Sequence, residues 1–110
     1  MKVRALFVAA ALASTALPAC AGEIETVNLT ISQHRFQPAE ITIRANTKVK
    51  LLIENRDSTA EEFESHSLNR EKVIPGNKTA SVFIGPLDPG KYEFFGEFHA
   101  STAKGVVIVK

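Results

Sequence analysis

The sequence predicts an all-β protein, an antiparallel β-sandwich of seven or eight short strands. Apolar and polar residues alternate in short runs, which is the period of a strand with one buried face. Turn-forming stretches such as "RANT", "IPGN" and "LDPG" separate these runs. Several short alternating strands punctuated in this way are typical of a sandwich.

The predicted strands follow one another along the chain from Val27 onwards. In order they are VNLTIS, EITIR, KVKLLIE, SVFIG, KYEFF and the nearly continuous apolar run GVVIVK. Residues 55–72 interrupt this rhythm because they are polar and rich in acids, so we expect them to form the longest irregular connection. Phe63 should anchor this connection in the core, which sends its neighbours Glu62 and Glu64 to one common side.

Residues 1–21 are expected to be a secretory signal peptide. Lys2 and Arg4 precede an apolar run that ends in small residues. This run is short for a membrane span. Ordinary cleavage after "ACA" is favoured, and it leaves residues 22–110 as one exported, periplasmic domain. The alternative is lipoprotein processing at "LPAC", which would retain Cys20 as a lipidated residue.

The composition of residues 22–110 excludes several classes of function. Without Lys2 and Arg4, the domain has 11 basic residues against 12 acidic ones, a net charge of −1 that gives no general attraction to nucleic acid or anionic membranes. Cys20 is the only cysteine, so the domain has no thiolate nucleophile. Catalytic triads and phosphate-binding loops with credible spacing are missing too. We expect a monomer. The domain should not enter a membrane unless Cys20 is lipidated, and the sequence leaves open whether the protein is an enzyme.

Two stretches resemble the two halves of cupredoxin domains. "HRFQPAEITIRANTKVKLLIENRD" resembles their opening half, and "LDPGKYEFFGEFHASTAKGVVIV" resembles their closing half with its metal-binding loop. The resemblance implies a cupredoxin-like Greek-key sandwich. "EEFESHSLNREKVIPG" and "YEFFGEFH" further resemble the periplasmic cupredoxin-like component of bacterial ferrous-iron uptake systems of the Ftr and Efe type.

The sulfur ligands of a type 1 copper site are missing from this chain. In the cupredoxin pattern Gly96 stands at the cysteine position, and the axial methionine position falls near Ala103 or Lys104. The only methionine is Met1. Because a type 1 centre needs a thiolate, the resemblance implies copper or iron held by nitrogen and oxygen donors, in type 2-like coordination.

Six side chains are candidate metal ligands. His66 and His99 stand where the resemblance places the two copper histidines, and Glu97 is the acid nearest to Gly96. Histidine and carboxylate together suit borderline and hard ions. His34 is predicted at the same end of the sandwich, as a third ligand, a proton acceptor at the rim or an exposed loop residue. The candidates are His66, His99, Glu97, Glu64, Glu62 and His34.

The resemblance implies a role in ferrous-iron uptake. The protein would assist Fe(II) oxidation, with a periplasmic iron-binding protein and a membrane iron permease as partners. One alternative is a periplasmic copper or iron carrier without redox turnover. The other is a sandwich without metal that serves protein recognition.

Overall fold

Two β-sheets packed face to face make up residues 24–110, the part of the chain that the computed structural model describes. The strands are β1 (Glu25–Ser32), β2 (Arg35–Gln37), β3 (Glu40–Ile43), β4 (Val49–Asn55), β5 (Glu61–Ser65), β6 (Arg70–Ile74), β7 (Thr79–Ile84), β8 (Gly90–Gly96) and β9 (Lys104–Val109). A 3₁₀ turn, Glu97–His99, connects β8 to β9. The all-β sandwich prediction is confirmed, while the predicted signal segment, residues 1–21, lies outside the described residues.

The order of strands is β2-β1-β4-β7 in one sheet and β3-β9-β8-β5-β6 in the other. Most neighbours are antiparallel, but β1 pairs with β4 in parallel, and so does β3 with β9. The reason for the first parallel pair is that β3 belongs to the opposite sheet, so the chain crosses over and returns beside β1 in the same direction. In residues 24–110, helices long and apolar enough to cross a membrane are absent.

Residues 55–72 are not the irregular connection that their polarity predicted. They contain all of β5 and the beginning of β6. In β5, Glu61, Phe63 and Ser65 are buried, while Glu62 and Glu64 are only partly covered. The period-two pattern is therefore intact, and it was hidden because an acid occupies a core position. The short strands β2, β5 and β6 also bring the strand number to nine.

Three phenylalanines form the part of the core that supports the loop end of the sandwich. The Phe94 ring stacks on Phe63 at 5.1 Å between centroids and meets Phe36 edge-on at 5.0 Å. Each aromatic pair of this kind contributes about 0.5–1.5 kcal/mol beyond its buried area. The three residues belong to β2, β5 and β8, so they fix the ends of these strands relative to one another.

Candidate metal centre

Glu61, the first residue of β5, is a carboxylate buried in the core with 1% of its surface exposed. It faces inward because it lies two residues before Phe63 on the same face of the strand. Its Oε1 accepts backbone N–H bonds from Glu62 at 3.0 Å and Phe98 at 2.9 Å. Its Oε2 lies 2.6 Å from Nδ1 of His99. Both carboxylate oxygens therefore have partners, as a buried acid requires.

Gly96, the last residue of β8, leaves the space that the Glu61 carboxylate occupies. A Cβ atom added at Gly96 would lie 2.6 Å from Glu61 Cδ and 2.7 Å from the Cβ of buried Ala103. The position at which the cupredoxin pattern places a cysteine is thus filled by an acid from the neighbouring strand. Glu97, the expected substitute, begins the 3₁₀ turn and is exposed.

His99 lies between the buried Glu61 carboxylate and the solvent, and the ring of His34 covers one of its faces. Their rings stack with centroids 3.6 Å apart and an angle of 13° between the planes. His34 reaches this place from the two-residue turn between β1 and β2. Both turn residues are left-handed, with φ of 53° at Gln33 and 58° at His34. Such a turn is usual in hairpins but is normally built from asparagine or glycine.

Asp57 holds the turn that carries His34. Its Oδ1 accepts the N–H of Gln33 at 2.8 Å, and its Oδ2 accepts the N–H of His34 at 3.0 Å. The same Oδ2 lies 3.5 Å from His34 Nδ1. Thr102 Oγ1 donates a hydrogen bond to the His34 carbonyl at 2.6 Å. Partial burial acts to raise the pKa of Asp57. The N–H donors of His34 and Gln33, together with the nearby imidazoles of His34 and His99, outweigh this effect and hold the pKa below its ordinary value.

The structure does not bring His66 to His99. Glu61 is the first residue of β5, and His66 comes directly after its last residue. At about 3.3 Å per residue, the five steps between them span roughly 16 Å. The His66 side chain is 83% exposed and lies 3.9 Å from a carboxylate oxygen of Glu64. Its ring packs beside Phe95. The resemblance placed it wrongly relative to His99, because "SHSL" leads into the hairpin turn between β5 and β6.

Glu62 and Glu64 point away from His99, to the outer face of the sheet. Together with Glu71 on β6 they form a group whose oxygen atoms lie within 4.8 Å of one another. Partial burial, a hydrogen bond with Glu64 and the nearby charges of Glu71 and Glu97 raise the pKa of Glu62. Glu61 and Asp57 are the acids that contact His99 and His34, and neither was among the six candidate ligands. For Glu61 the signal was available, since it shares the inward face with Phe63.

A sequence model for the cupredoxin-like domain family matches residues 2–109. The chain belongs to the cupredoxin-like domain family. It is 47% identical over 83 residues to an uncharacterized protein of Rickettsia prowazekii (strain Madrid E), an alignment that covers 76% of this chain and 66% of that protein. The chain thus spans about two thirds of the length of this relative.

Solved structures of several copper-binding and related proteins share the fold of this chain. Auracyanin A, a "blue" copper protein from Chloroflexus aurantiacus, superposes with a TM-score of 0.70 at 15% identity, over 80% of this chain and 100% of that one. The metal-binding domain of the Streptococcus pneumoniae D39 Cu(I)-exporting P-type ATPase CopA, solved with Cu(I), gives a TM-score of 0.69 at 14% identity, over 84% and 91%. Amicyanin from Paracoccus versutus gives 0.62 at 18% identity, over 86% and 85%.

The donor atoms of this cupredoxin-like domain suit a metal with nitrogen and oxygen ligands and not a type 1 copper. Neither Gly96 nor Ala103 carries sulfur, and the carboxylate of Glu61 fills the space between them. Imidazole and carboxylate donors suit Cu(II), Zn(II) and iron. Metal–ligand bonds of about 2.0–2.2 Å place neighbouring donors about 3 Å apart, so the Glu61–His99 contact would open by about half an ångström.

In its stacked position, His34 does not direct a ring nitrogen at an ion bound between Glu61 and His99. A metal ion binds in the plane of an imidazole ring, and the planes of His34 and His99 are nearly parallel and separated. His34 would therefore have to rotate before it could share an ion with His99. In the arrangement seen here, it covers one face of His99.

Proposed function

We propose that this domain binds a divalent transition-metal ion, Cu(II) foremost, through Glu61 Oε2 and His99 Nδ1. The supporting observation is a buried carboxylate oxygen 2.6 Å from an imidazole nitrogen at the half-exposed end of the sandwich. Two such atoms at this distance form one hydrogen bond, and a metal ion at Nδ1 would replace it by leaving the ring hydrogen on Nε2. Protons and the metal ion therefore compete for these donors.

The residues around this pair fit the task of holding an oxidised ion. Glu61 brings a negative charge into the core, and an anionic oxygen stabilises the more highly charged ion more strongly. Its second oxygen is anchored by two backbone N–H groups, so the carboxylate is held in place before the ion arrives. When bound, Cu(II) would supply a one-electron acceptor, and its reduction by Fe(II) would require the partner's ligands to stabilise Fe(III) over Fe(II) still more strongly.

We further propose that the protein acts in ferrous-iron uptake in the periplasm. The motifs "EEFESHSLNREKVIPG" and "YEFFGEFH" support this role by their resemblance to the iron-uptake branch. The protein would accept an electron from Fe(II) held by a periplasmic iron-binding partner, and Fe(III) would pass to a membrane iron permease. A single-turnover assay tests this role: one Fe(II) should reduce one Cu(II) to Cu(I), with loss of the Cu(II) paramagnetic resonance signal. Metal binding without this electron transfer would favour the carrier alternative.

The metal-binding proposal is tested by the variant Glu61→Gln. The amide keeps the size of the side chain but loses its charge, so we expect the Cu(II) affinity to fall at least about 10- to 100-fold. The measurement is a competition titration against a chelator of known affinity at one pH. Glu64→Gln is the matched control, because it removes an acid from the outer face of the same strand.

Equal Cu(II) affinities of the Glu61→Gln variant and the parent would contradict this proposal. A protein that binds neither copper nor iron would favour the recognition alternative.

A further inference from the structure

We propose that Gly96 and Ala103 are the specificity-determining positions of this centre, because together they form a slot that holds Glu61 as a one-oxygen donor beside His99. The inference rests on the proposed metal binding and adds which ions the centre accepts. The slot is the space between β5, the end of β8 and the beginning of β9 that the two small residues leave free.

Gly96 is needed for space and not for its backbone conformation. Its φ of −93° and ψ of 113° are open to any residue. An added Cβ atom would nevertheless lie 2.6 Å from Glu61 Cδ and 2.8 Å from Glu61 Oε2. Because a Cβ atom is fixed to the backbone, the carboxylate would have to leave the slot and lose its N–H partners.

Ala103 forms the second wall of the slot. It is completely buried, and its Cβ lies 2.7 Å from the position that a Cβ on Gly96 would take. The backbone N–H of Gly96 donates to the Ala103 carbonyl at 2.8 Å, which fixes the two walls relative to each other. Ala103 and Glu61 are therefore the two neighbours that a side chain at Gly96 would strike.

The slot decides how many oxygens Glu61 can offer to an ion. Oε1 already accepts two backbone N–H bonds, which use both of its lone pairs. Oε2 therefore remains as the single donor, and it faces His99. One carboxylate oxygen beside one imidazole nitrogen suits Cu(II), whereas Cu(I) prefers soft sulfur ligands. We expect the centre to bind Cu(II) more tightly than Cu(I).

A stability cycle on the metal-free protein tests the slot directly. The variants are Gly96→Ala, Glu61→Ala and the double variant, compared by their urea midpoints. Each single change should lower the midpoint, and the double variant should lose less than the sum, because Glu61→Ala removes the atoms that the new methyl group strikes. Gly90→Ala is the control in the same strand, since its added Cβ would meet nothing closer than 3.6 Å. The decrease in urea midpoint caused by Gly90→Ala should simply add to the decrease caused by Glu61→Ala.

Additive losses for Gly96→Ala and Glu61→Ala would overturn the slot. If Gly96→Ala does not fold, the cycle is repeated in an Ala103→Gly background, which removes the second obstructing atom. Failure of Gly96→Ala/Glu61→Ala to fold in that background would also overturn the slot.

Two further measurements separate a positioning role from a merely structural one. In metal-free Gly96→Ala, the nitrogen resonance of His99 Nδ1 should shift as the contact with Glu61 is lost. The Cu(II) affinity should fall about 10- to 100-fold, while Gly90→Ala keeps the parent value. An unchanged affinity, or tighter binding of Cu(I) than of Cu(II) by the parent, would overturn the specificity role. A parent that binds no Cu(II) would contradict the proposed function as well, whereas the stability cycle would still decide whether Gly96 holds Glu61.

Discussion

At the scale of single residues, adjacent acids in β5 have opposite surroundings. Glu61 is buried with both oxygens partnered, so its charge is compensated by backbone N–H groups and by His99. Glu62 faces outward among other carboxyls, and its surroundings raise its pKa. Alternation of side chains along a strand is enough to produce this difference.

The raised pKa of Glu62 predicts that its charge destabilises the fold. Below its ordinary pKa of 4.5 the group is protonated in the folded and unfolded states alike. As the pH rises through the higher pKa of the folded state, the carboxyl ionises among like charges and stability is lost. Glu62→Gln should therefore raise the urea midpoint of unfolding by more at pH 7 than at pH 3. An equal effect at both pH values would show that the neighbouring charges do not act on Glu62.

At the scale of elements, the β1–β2 hairpin is the part of the centre that depends most on a distant residue. Asp57 lies more than twenty residues beyond the turn and still binds the N–H groups of both turn residues, Gln33 and His34. The sequence does predict that His34 lies near the rim, since Phe36 and Pro38 resemble the opening half of a cupredoxin. It does not predict the pairing with Asp57, because nothing local specifies a side-chain contact across the fold.

Asp57→Ala should lower the free energy of unfolding by about 2 kcal/mol, since two N–H groups lose a charged acceptor. The lowered pKa of Asp57 gives this contribution a pH dependence. The stability is present above the ordinary value of 3.8 and is lost as the pH falls through the lower pKa of the folded state. Urea unfolding at pH 7 and at pH 2–3 measures both effects, with Asp88→Ala, an exposed turn residue, as control. If Asp57→Ala remained less stable than the parent by the same free energy at pH 2–3 as at pH 7, the result would contradict a role for the ionised carboxylate.

At the scale of the whole molecule, three residues of the centre each stand two positions along the chain from a phenylalanine of the core. Phe36, Phe63 and Phe94 pack together, and His34, Glu61 and Gly96 each stand two residues from one of them. In β5 and β8 the offset puts Glu61 and Gly96 on the same face as the neighbouring aromatic ring. Packing of the aromatic cluster thus brings the centre together from three strands and the loops beside them.

The fold could be predicted from alternation and turns, but the centre could be predicted only in part. His99 was a candidate ligand because of its loop, and Glu61, which the structure places beside it, could have been added by counting back from Phe63. The resemblance placed His66 with His99, whereas its position in the structure depends on where β5 ends and the following hairpin turns. The role of Gly96 depends on an acid from another strand, which is visible only once β5 and β8 lie side by side.

In the proposed centre His99, and not the more exposed His66, holds the metal. The most direct test is the Cu(II) affinity of His99→Ala and His66→Ala beside the parent, measured by competition titration at one pH because protons compete for imidazole. We expect His99→Ala to bind Cu(II) at least about 100-fold more weakly, since one of few strong donors is lost, while His66→Ala keeps the parent affinity. Parent-like binding by His99→Ala, or a loss confined to His66→Ala, would contradict the proposed centre.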